Sequence, residues 1–348
     1  MIYIGRTTVY NNITSPELIA QILPENKQLG EDFIEYLQSV DRSPNTIMQY
    51  RHDLDIFWVW NLQNNNNKEF IKITKREFAR FQNHCLNEWG WSSNRIRRVK
   101  SVISSMSNFI ENILDDEEEF KGYRSMIKKI ESPVKEFVRE KTVLEENELN
   151  NLLNTLVEKG QIMKAAVVAL AAFSGARKSE IPRFKLSYFD QENVIFGSLY
   201  KTPEKIKTKG RGRGKFIHLY TLKNEFDPYL NLWRKERERL NIDSEWLFPN
   251  VGDIGKEVVI TEPLHTSTMD GWCEEFSRIV GRPWYWHLNR HYRTTLLLKK
   301  NIPSQVVQDI TGWSSSDMVQ NYSDISTDES LGMYFDENGI KDVQVGKF

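Results

Sequence analysis

Apolar positions fall into helical spacing near the N-terminus, where Leu29, Phe33, Tyr36 and Leu37 share one face. Ser43-Pro44-Asn45 ends that segment and starts another, since a Ser cap followed by Pro satisfies the first free N–H groups and fixes φ. The second helix carries Ile47, Tyr50, Leu54, Phe57 and Trp58 on a broad face and gives way to the polar loop Asn64 to Asn67. Thr74 opens a third helix through Phe78, Phe81 and Cys85, ending near Gly90. Ser92-Ser93-Asn94 opens a fourth through Ile96, Val99, Ile103, Met106, Phe109 and Ile110. Residues 27–131 are thus expected to form a helical bundle of four or five helices, preceded by a leader over 1–26.

The acidic run Asp115 to Glu119 and Ser132-Pro133 mark a break, and a linker is expected over 132–140. A second domain is expected over 141–325, where Thr142 and Glu145-Glu146 resemble a capped helix start. Leu149, Leu152, Leu153 and Leu156 follow at helical spacing, and Ala165 to Phe173 reads as a buried helix. Val194-Ile195-Phe196 and Lys215 to Leu219 predict two or three short strands around the basic, Gly-rich loop Lys209 to Gly214. Helical pattern returns from Asn224, interrupted by Trp246-Leu247-Phe248-Pro249, and residues 326–348 are left as a tail. No 20- to 50-residue repeat is visible, so the fold class is mainly α with one small antiparallel sheet.

Length and composition support this division. A chain of 348 residues exceeds one ordinary core, and 39% hydrophobic with 12% aromatic residues suffices for two. No run reaches the roughly 18 apolar residues of a membrane span, so a soluble protein is expected. The N-terminus lacks a signal-peptide pattern, and only Cys85 and Cys273 are present, which fits a reducing cytoplasm without disulfides or a structural zinc. A net charge of −1 argues against a nucleic-acid partner at first sight. It conceals local asymmetry: seven basic side chains stand against Glu204 between Lys201 and Lys215, and Arg95, Arg97, Arg98 and Lys100 form a second cluster. Either run alone is equally a solvated face.

Three segments carry candidate chemistry. Gly175-Ala176-Arg177-Lys178-Ser179-Glu180 follows an apolar helix, so its Gly allows a turn that presents Arg177, with Glu180 placed to hold it. His287 and Arg290 are i and i+3 on one helix and can address one phosphate together, although a His after Trp284-Tyr285-Trp286 is equally a packed core histidine. Pro303 starts a further helix through Val306, Val307 and Ile310, which Gly312 caps ahead of Trp313. Ser314 to Ser316 can cap a short helix with Met318 and Tyr322 on one face, a pattern that core packing also produces.

In their order and intervals these residues resemble the tyrosine recombinase family, which includes Xer proteins, phage integrases and Cre. The family pattern is Gly-x-Arg-x-x-Glu, a strand-loop Lys, His-x-x-Arg, Gly-His/Trp and a Tyr nine residues later. This chain has Arg177 and Glu180, Lys209, His287 and Arg290, Gly312-Trp313 and Tyr322. Trp313 is similar to the Cre variant of the second His. Ser43-Pro44-Asn45-Thr46, Tyr50-Arg51 and Asp53-Leu54 resemble a helix of the family's core-binding domain, and Leu247-Phe248-Pro249 a tripeptide of its catalytic domain. The resemblance covers about 300 residues. Two departures stand out: Asn289 replaces a Leu, and the strand loop is a residue longer than in Xer, so Lys205, Lys207, Lys209 and Lys215 compete for one role.

The resemblance implies a SAM-like N-terminal bundle and a DNA breaking-rejoining catalytic domain that clamp DNA as a C shape. It implies attack by Tyr322 on a scissile phosphate to give a 3′-phosphotyrosyl bond, with Arg177, Arg290, His287 and Trp313 stabilising charge, Glu180 supporting, and Lys209 protonating the leaving 5′ oxygen. Arg51, Arg95, Arg97, Arg98, Lys100, Lys207, Arg211 and Arg213 are then candidates for DNA contact. The implied partners are double-stranded DNA with inverted half-sites, a homotetramer at synapsis, and accessory DNA-bending or directionality proteins; no metal or cofactor is implied. A leader of about 26 residues is short for a separate arm-binding domain, the tail is a candidate for packing on a neighbouring protomer, and a nucleoid-associated cytoplasmic location follows. A telomere resolvase or type IB topoisomerase shares this chemistry, and a DNA-binding protein without catalysis remains the competing class.

Overall fold

A computed structural model describes residues 6–125, 127–134, 144–208, 215–251, 262–313, 319, 335–336 and 339–340. Its residues fall into two compact units that divide near residue 140.

The N-terminal unit is helical: α1 (Arg6–Ile13), α2 (Pro16–Ala20), α3 (Pro24–Ser39), α4 (Pro44–Asn64), α5 (Lys75–Asn87) and α6 (Ser93–Ile113). Local chemistry sets the helix starts. Ser43 Oγ accepts the Thr46 N–H at 3.3 Å. Thr74 and Glu77 form a reciprocal capping box, with the Thr74 N–H donating to Glu77 Oε2 at 2.7 Å. The core gathers Phe33, Phe57, Phe81, Ile103, Met106 and Ile110, all buried. Buried Asn26 receives the Phe70 N–H at 2.8 Å and donates to the Lys68 carbonyl at 3.0 Å, which fixes the loop after α4.

The expected leader carries two short helices, α1 and α2. Tyr10 of α1 donates to Asp55 at 2.8 Å and stacks on His52, with ring centroids 4.1 Å apart, so α1 lies on α4. Burial and the Asp55 carboxylate push the Tyr10 phenol up to about 12.

In the C-terminal unit, α7 (Glu146–Glu158) and α8 (Ile162–Ser174) precede a strand region, followed by α9 (Lys223–Arg239), α10 (Thr266–Gly271), α11 (Cys273–Val280), α12 (His287–Lys299) and α13 (Ser304–Thr311). Helix α8 is the hub, fully buried from Ala165 to Ser174, and it packs against α7, α9 and α12. This all-round burial is why its sequence is apolar on every face.

The strands are β1 (Val194–Ile195), β2 (Leu199–Lys201), β3 (Ile206–Lys207), β4 (Phe216–Ile217) and β5 (Tyr220–Leu222). They make two antiparallel sheets where the sequence suggested one: β1-β2-β5, and the pair β3-β4 with Ile206 opposite Ile217. Thr202 joins them, its N–H donating to the Leu219 carbonyl at 3.0 Å and its Oγ1 accepting the Leu219 N–H at 3.1 Å. The expected strand residue Phe196 lies instead in the β1–β2 turn, where it and Gly197 take positive φ of 52° and 69°. Residues Phe335–Asp336 and Gly339–Ile340, within the expected tail, form a further antiparallel pair, β6-β7. Among the described residues no helix is long and apolar enough to cross a membrane.

Candidate active site

The site begins where α8 stops. Gly175 caps α8 in the left-handed region with φ of 66°, and its N–H donates to the Ala171 carbonyl at 3.0 Å. A Cβ there would stand 2.9 Å from Arg293 Cγ, so glycine is required by both backbone and packing. Two residues on, the Arg177 N–H donates to Glu180 Oε2 at 2.7 Å, and Arg177 Nη1 donates to Oε1 at 2.8 Å. Glu180 is fully buried, while the Arg177 side chain is 23% exposed, so the carboxylate anchors a guanidinium that still reaches solvent.

Helix α12 begins with His287, exposed on its first turn, and turns Arg290 inward, where it is 1% exposed. Arg290 Nη1 donates to the Gly175 carbonyl at 2.7 Å and Nη2 to the Thr311 carbonyl at 2.8 Å. Its guanidinium lies over buried Trp313, 4.9 Å from the ring centroid. The rigid planar fork suits this bridging task, since one arm spans to the end of α8 and the other to the end of α13. Gly312 caps α13 with φ of 68°, and a Cβ on it would meet Ile217 Cδ1 at 2.6 Å. Lys215 Nζ donates to the Gly312 carbonyl at 3.0 Å. The β3-β4 hairpin is thereby fastened to the Gly312-Trp313 turn.

The structure thus brings together Arg177, Glu180, Arg290 and Trp313, with His287 one turn before Arg290. The His287 and His291 rings lie 5.8 Å apart at 83°. The preceding Trp284 and Trp286 are core residues, and Trp286 donates to the Met269 carbonyl at 2.9 Å. Asn289 is buried and donates to the Trp286 carbonyl at 3.3 Å. Tyr322, Lys209, Arg211 and Arg213 lie outside the described residues. Val319 is described and is buried with Leu297, Val307 and Trp313. Lys207 is exposed on β3, opposite Phe216. Among the described residues no group of His, Cys, Asp or Glu is placed to hold a metal ion.

The basic residues of the N-terminal unit are largely engaged within it. Arg98 makes a forked ion pair with buried Asp53, its Nη2 2.7 Å from Oδ2. Arg97 Nε donates to the Pro133 carbonyl at 2.9 Å, and Lys100 Nζ donates to the Ile130 carbonyl and to Ser132 Oγ. Burial, and then neighbouring Arg97, lower the Lys100 pKa. Arg95 lies over Trp91 at 4.2 Å, and Arg51 pairs with Glu31. Sequence reasoning missed Arg293, which is 1% exposed. Its one signal was spacing, because Arg290, Arg293 and Leu297 fall at i, i+3 and i+7 on one helix face.

Comparison with known proteins places the fold. The profile of the phage integrase family matches residues 142–329, more than half of the chain, and that of the phage integrase N-terminal SAM-like domain matches residues 29–119. The SPbeta prophage-derived recombinase-like protein YomM of Bacillus subtilis (strain 168) is 28% identical over 310 residues, covering 88% of this chain and 86% of that protein. The fold is similar to XerH site-specific recombinase bound to palindromic difH substrate in a post-cleavage complex, with a TM-score of 0.63, 16% identity, and 89% and 95% of the two chains covered. It is also similar to a lambda integrase tetramer bound to a Holliday junction, with a TM-score of 0.61, 15% identity, and 86% and 77% covered. The chain belongs to the phage integrase family, the tyrosine recombinases. By that membership it is a DNA strand-transferring enzyme, a site-specific recombinase.

Proposed function

We propose that this recombinase cleaves and rejoins double-stranded DNA at inverted half-sites, with Tyr322 as nucleophile. The observation that carries the reading is the Arg290 fork, held at 2.7 Å and 2.8 Å by the carbonyls of Gly175 and Thr311. This fork ties three sequence-distant segments into one cationic site beside Arg177. Tyr322 Oη attacks the scissile phosphorus, forming a 3′-phosphotyrosyl bond as the bond to the 5′ oxygen breaks. The phenol proton passes to His287 or solvent, and Lys209 protonates the departing 5′ oxygen. One phosphodiester replaces another, so no external energy source is needed. Arg177 and Arg290 favour the phenolate, which is scarce at neutral pH for a phenol of pKa about 10, and stabilise charge on the phosphorane oxygens. Trp313 lies under the Arg290 guanidinium in the same wall. Each direct donor is worth about 3 kcal/mol in the transition state.

Four protomers assemble at synapsis in this reading, and accessory proteins set the direction of the outcome. The prophage origin of the Bacillus subtilis relative favours a mobile-element setting. The test is a nicked suicide duplex carrying inverted half-sites sought in the DNA that flanks the gene. Wild type should accumulate a covalent protein–DNA adduct and Tyr322→Phe should form none. An adduct of equal yield from Tyr322→Phe would remove the nucleophile assignment, and DNA binding without any adduct from wild type would leave a binding protein.

A further inference from the structure

Arg293 is the one other buried cation on the face of α12 that looks toward the site, and its environment is unlike that of Arg290. It is 1% exposed, yet its Nε and Nη1 meet no acceptor among the described residues. Its stem lies against Gly175, with Cγ 2.9 Å and Cβ 3.3 Å from where a glycine Cβ would be. Helix α8, the neighbour on that side, is apolar from Ala165 to Phe173, and its one charged residue, Lys164, lies in its first turn and pairs with Glu275. Glu225, exposed at the start of α9, and Tyr292, beside it on α12, are the titratable groups that face it, and no carboxylate among the described residues comes within ion-pair distance. Burial accordingly lowers its pKa from the usual guanidinium range to about 10.

A buried cation without a partner lowers stability, and an apolar side chain of the same length would serve the core better. That cost makes sense where a negative charge is to arrive. Gly175 is the residue whose carbonyl holds Arg290, and Arg177 follows it by two positions, so Arg293 sits directly beneath the turn that organises both arginines. We propose that Arg293 is a positioning residue for phosphodiester cleavage: its stem fixes the Gly175 turn, and its buried charge biases the site toward the phosphate and the tyrosine phenolate. A low-dielectric surrounding transmits that charge further than an exposed arginine could.

The inference rests on the reading of this site as a cleavage centre. Its test compares full-length wild type, Arg293→Met and Arg293→Lys by thermal midpoint, affinity for the duplex, and rate of adduct formation against pH. Arg293→Met removes an unpaired buried charge, so its midpoint should hold or rise and its DNA affinity should stay within about threefold. Its adduct rate should fall by about 10- to 100-fold, less than for loss of a direct donor. The rising limb of its rate–pH profile should move to higher pH, because the phenolate is then less favoured, and Arg293→Lys should restore most of the rate. Adduct formation by Arg293→Met at the wild-type rate and pH profile would overturn the proposal. So would a variant that fails to fold or loses stability in step with activity, which would make Arg293 a core residue only. Absence of adduct from wild type would instead remove the cleavage reading, and this inference with it.

Discussion

Arg290 Nη1 donates to the carbonyl of Gly175, 115 positions earlier in the chain, across 2.7 Å. The other arm of the fork reaches the Thr311 carbonyl, so one side chain satisfies the buried ends of α8 and α13 together. Arg290→Ala should therefore lose more than charge. Each stranded buried carbonyl costs about 1–3 kcal/mol, and urea denaturation of the full chain should show a loss of that order or somewhat more. Arg290→Lys can reach only one carbonyl at a time and should fall between the two, while both variants should lose adduct formation. A variant as stable as wild type would show that the fork is not what joins these helix ends.

Gly312 makes an equally specific demand. With φ of 68° and Ile217 Cδ1 2.6 Å from the place of a Cβ, Gly312→Ala incurs both backbone strain and a clash with β4. The backbone part alone is worth about 1–2 kcal/mol. Ile217→Val removes the Cδ1 atom, so the double variant Gly312→Ala/Ile217→Val should be less destabilised than the sum of the singles. Additive losses in thermal melts would separate the two residues energetically. Because Lys215 also donates to the Gly312 carbonyl, Gly312→Ala should slow cleavage through the displaced β3-β4 hairpin even where the protein stays folded.

These relationships mark what the sequence could and could not disclose. Helices such as α4 and α5 were readable because Ser43 and the Thr74–Glu77 box announce their starts, and apolar spacing fixes their buried faces. Arg177, Glu180, Arg290 and Trp313 were readable as a set only through the resemblance of their order and intervals to tyrosine recombinases, since each motif alone is equally consistent with packing. Charge was harder to read, because a basic run does not show which of its members have partners within the fold. Arg98 reads as part of a basic surface run, yet its partner Asp53 is 1% exposed, and nothing in spacing alone says that a carboxylate will be buried. Arg293 escaped because an arginine at core spacing is ordinarily read as surface charge, and only the packed fold shows it to be buried. Helices α1 and α2 escaped because segments of eight and five residues show too little periodicity to stand apart from a leader. Strand β2, three residues long, escaped likewise.

The Arg98–Asp53 pair yields a prediction that distinguishes folding from DNA contact. Removing Arg98 takes its forked donors away from a buried carboxylate, so Arg98→Ala should destabilise the protein by about 3 kcal/mol. Arg51→Ala, which breaks an exposed pair with Glu31, should change stability by less than about 1 kcal/mol. Adding Asp53→Asn to Arg98→Ala should recover part of the loss by removing the buried charge. Duplex affinity measured well below the unfolding range should then fall more for Arg51→Ala than for Arg98→Ala if Arg51 touches DNA. The reverse order in a binding titration would favour Arg98 over Arg51 as the DNA contact.

The acid limit of stability should trace in part to Glu148. Arg282 donates to both of its carboxylate oxygens, Nε to Oε1 at 2.7 Å and Nη2 to Oε2 at 2.6 Å, and the Glu145 N–H adds a third donor at 2.9 Å. The Arg282 hydrogen bonds are the main reason that its pKa lies below the ordinary glutamate value, with burial opposing them. A carboxyl group whose folded pKa is depressed contributes stability that is fully present above its unfolded value of about 4.3 and is lost as pH falls through the lower folded value. Wild type should therefore lose stability on acidification below about pH 4.5 more steeply than Glu148→Gln, which keeps the side-chain length but does not titrate. Arg282→Ala should flatten the same limb, since it removes the donors that depress the pKa. Thermal midpoints measured from neutral pH down to about pH 3 would show this as curves that lie apart near neutrality and converge in acid. Parallel curves for wild type and Glu148→Gln would assign the acid limb to other carboxylates.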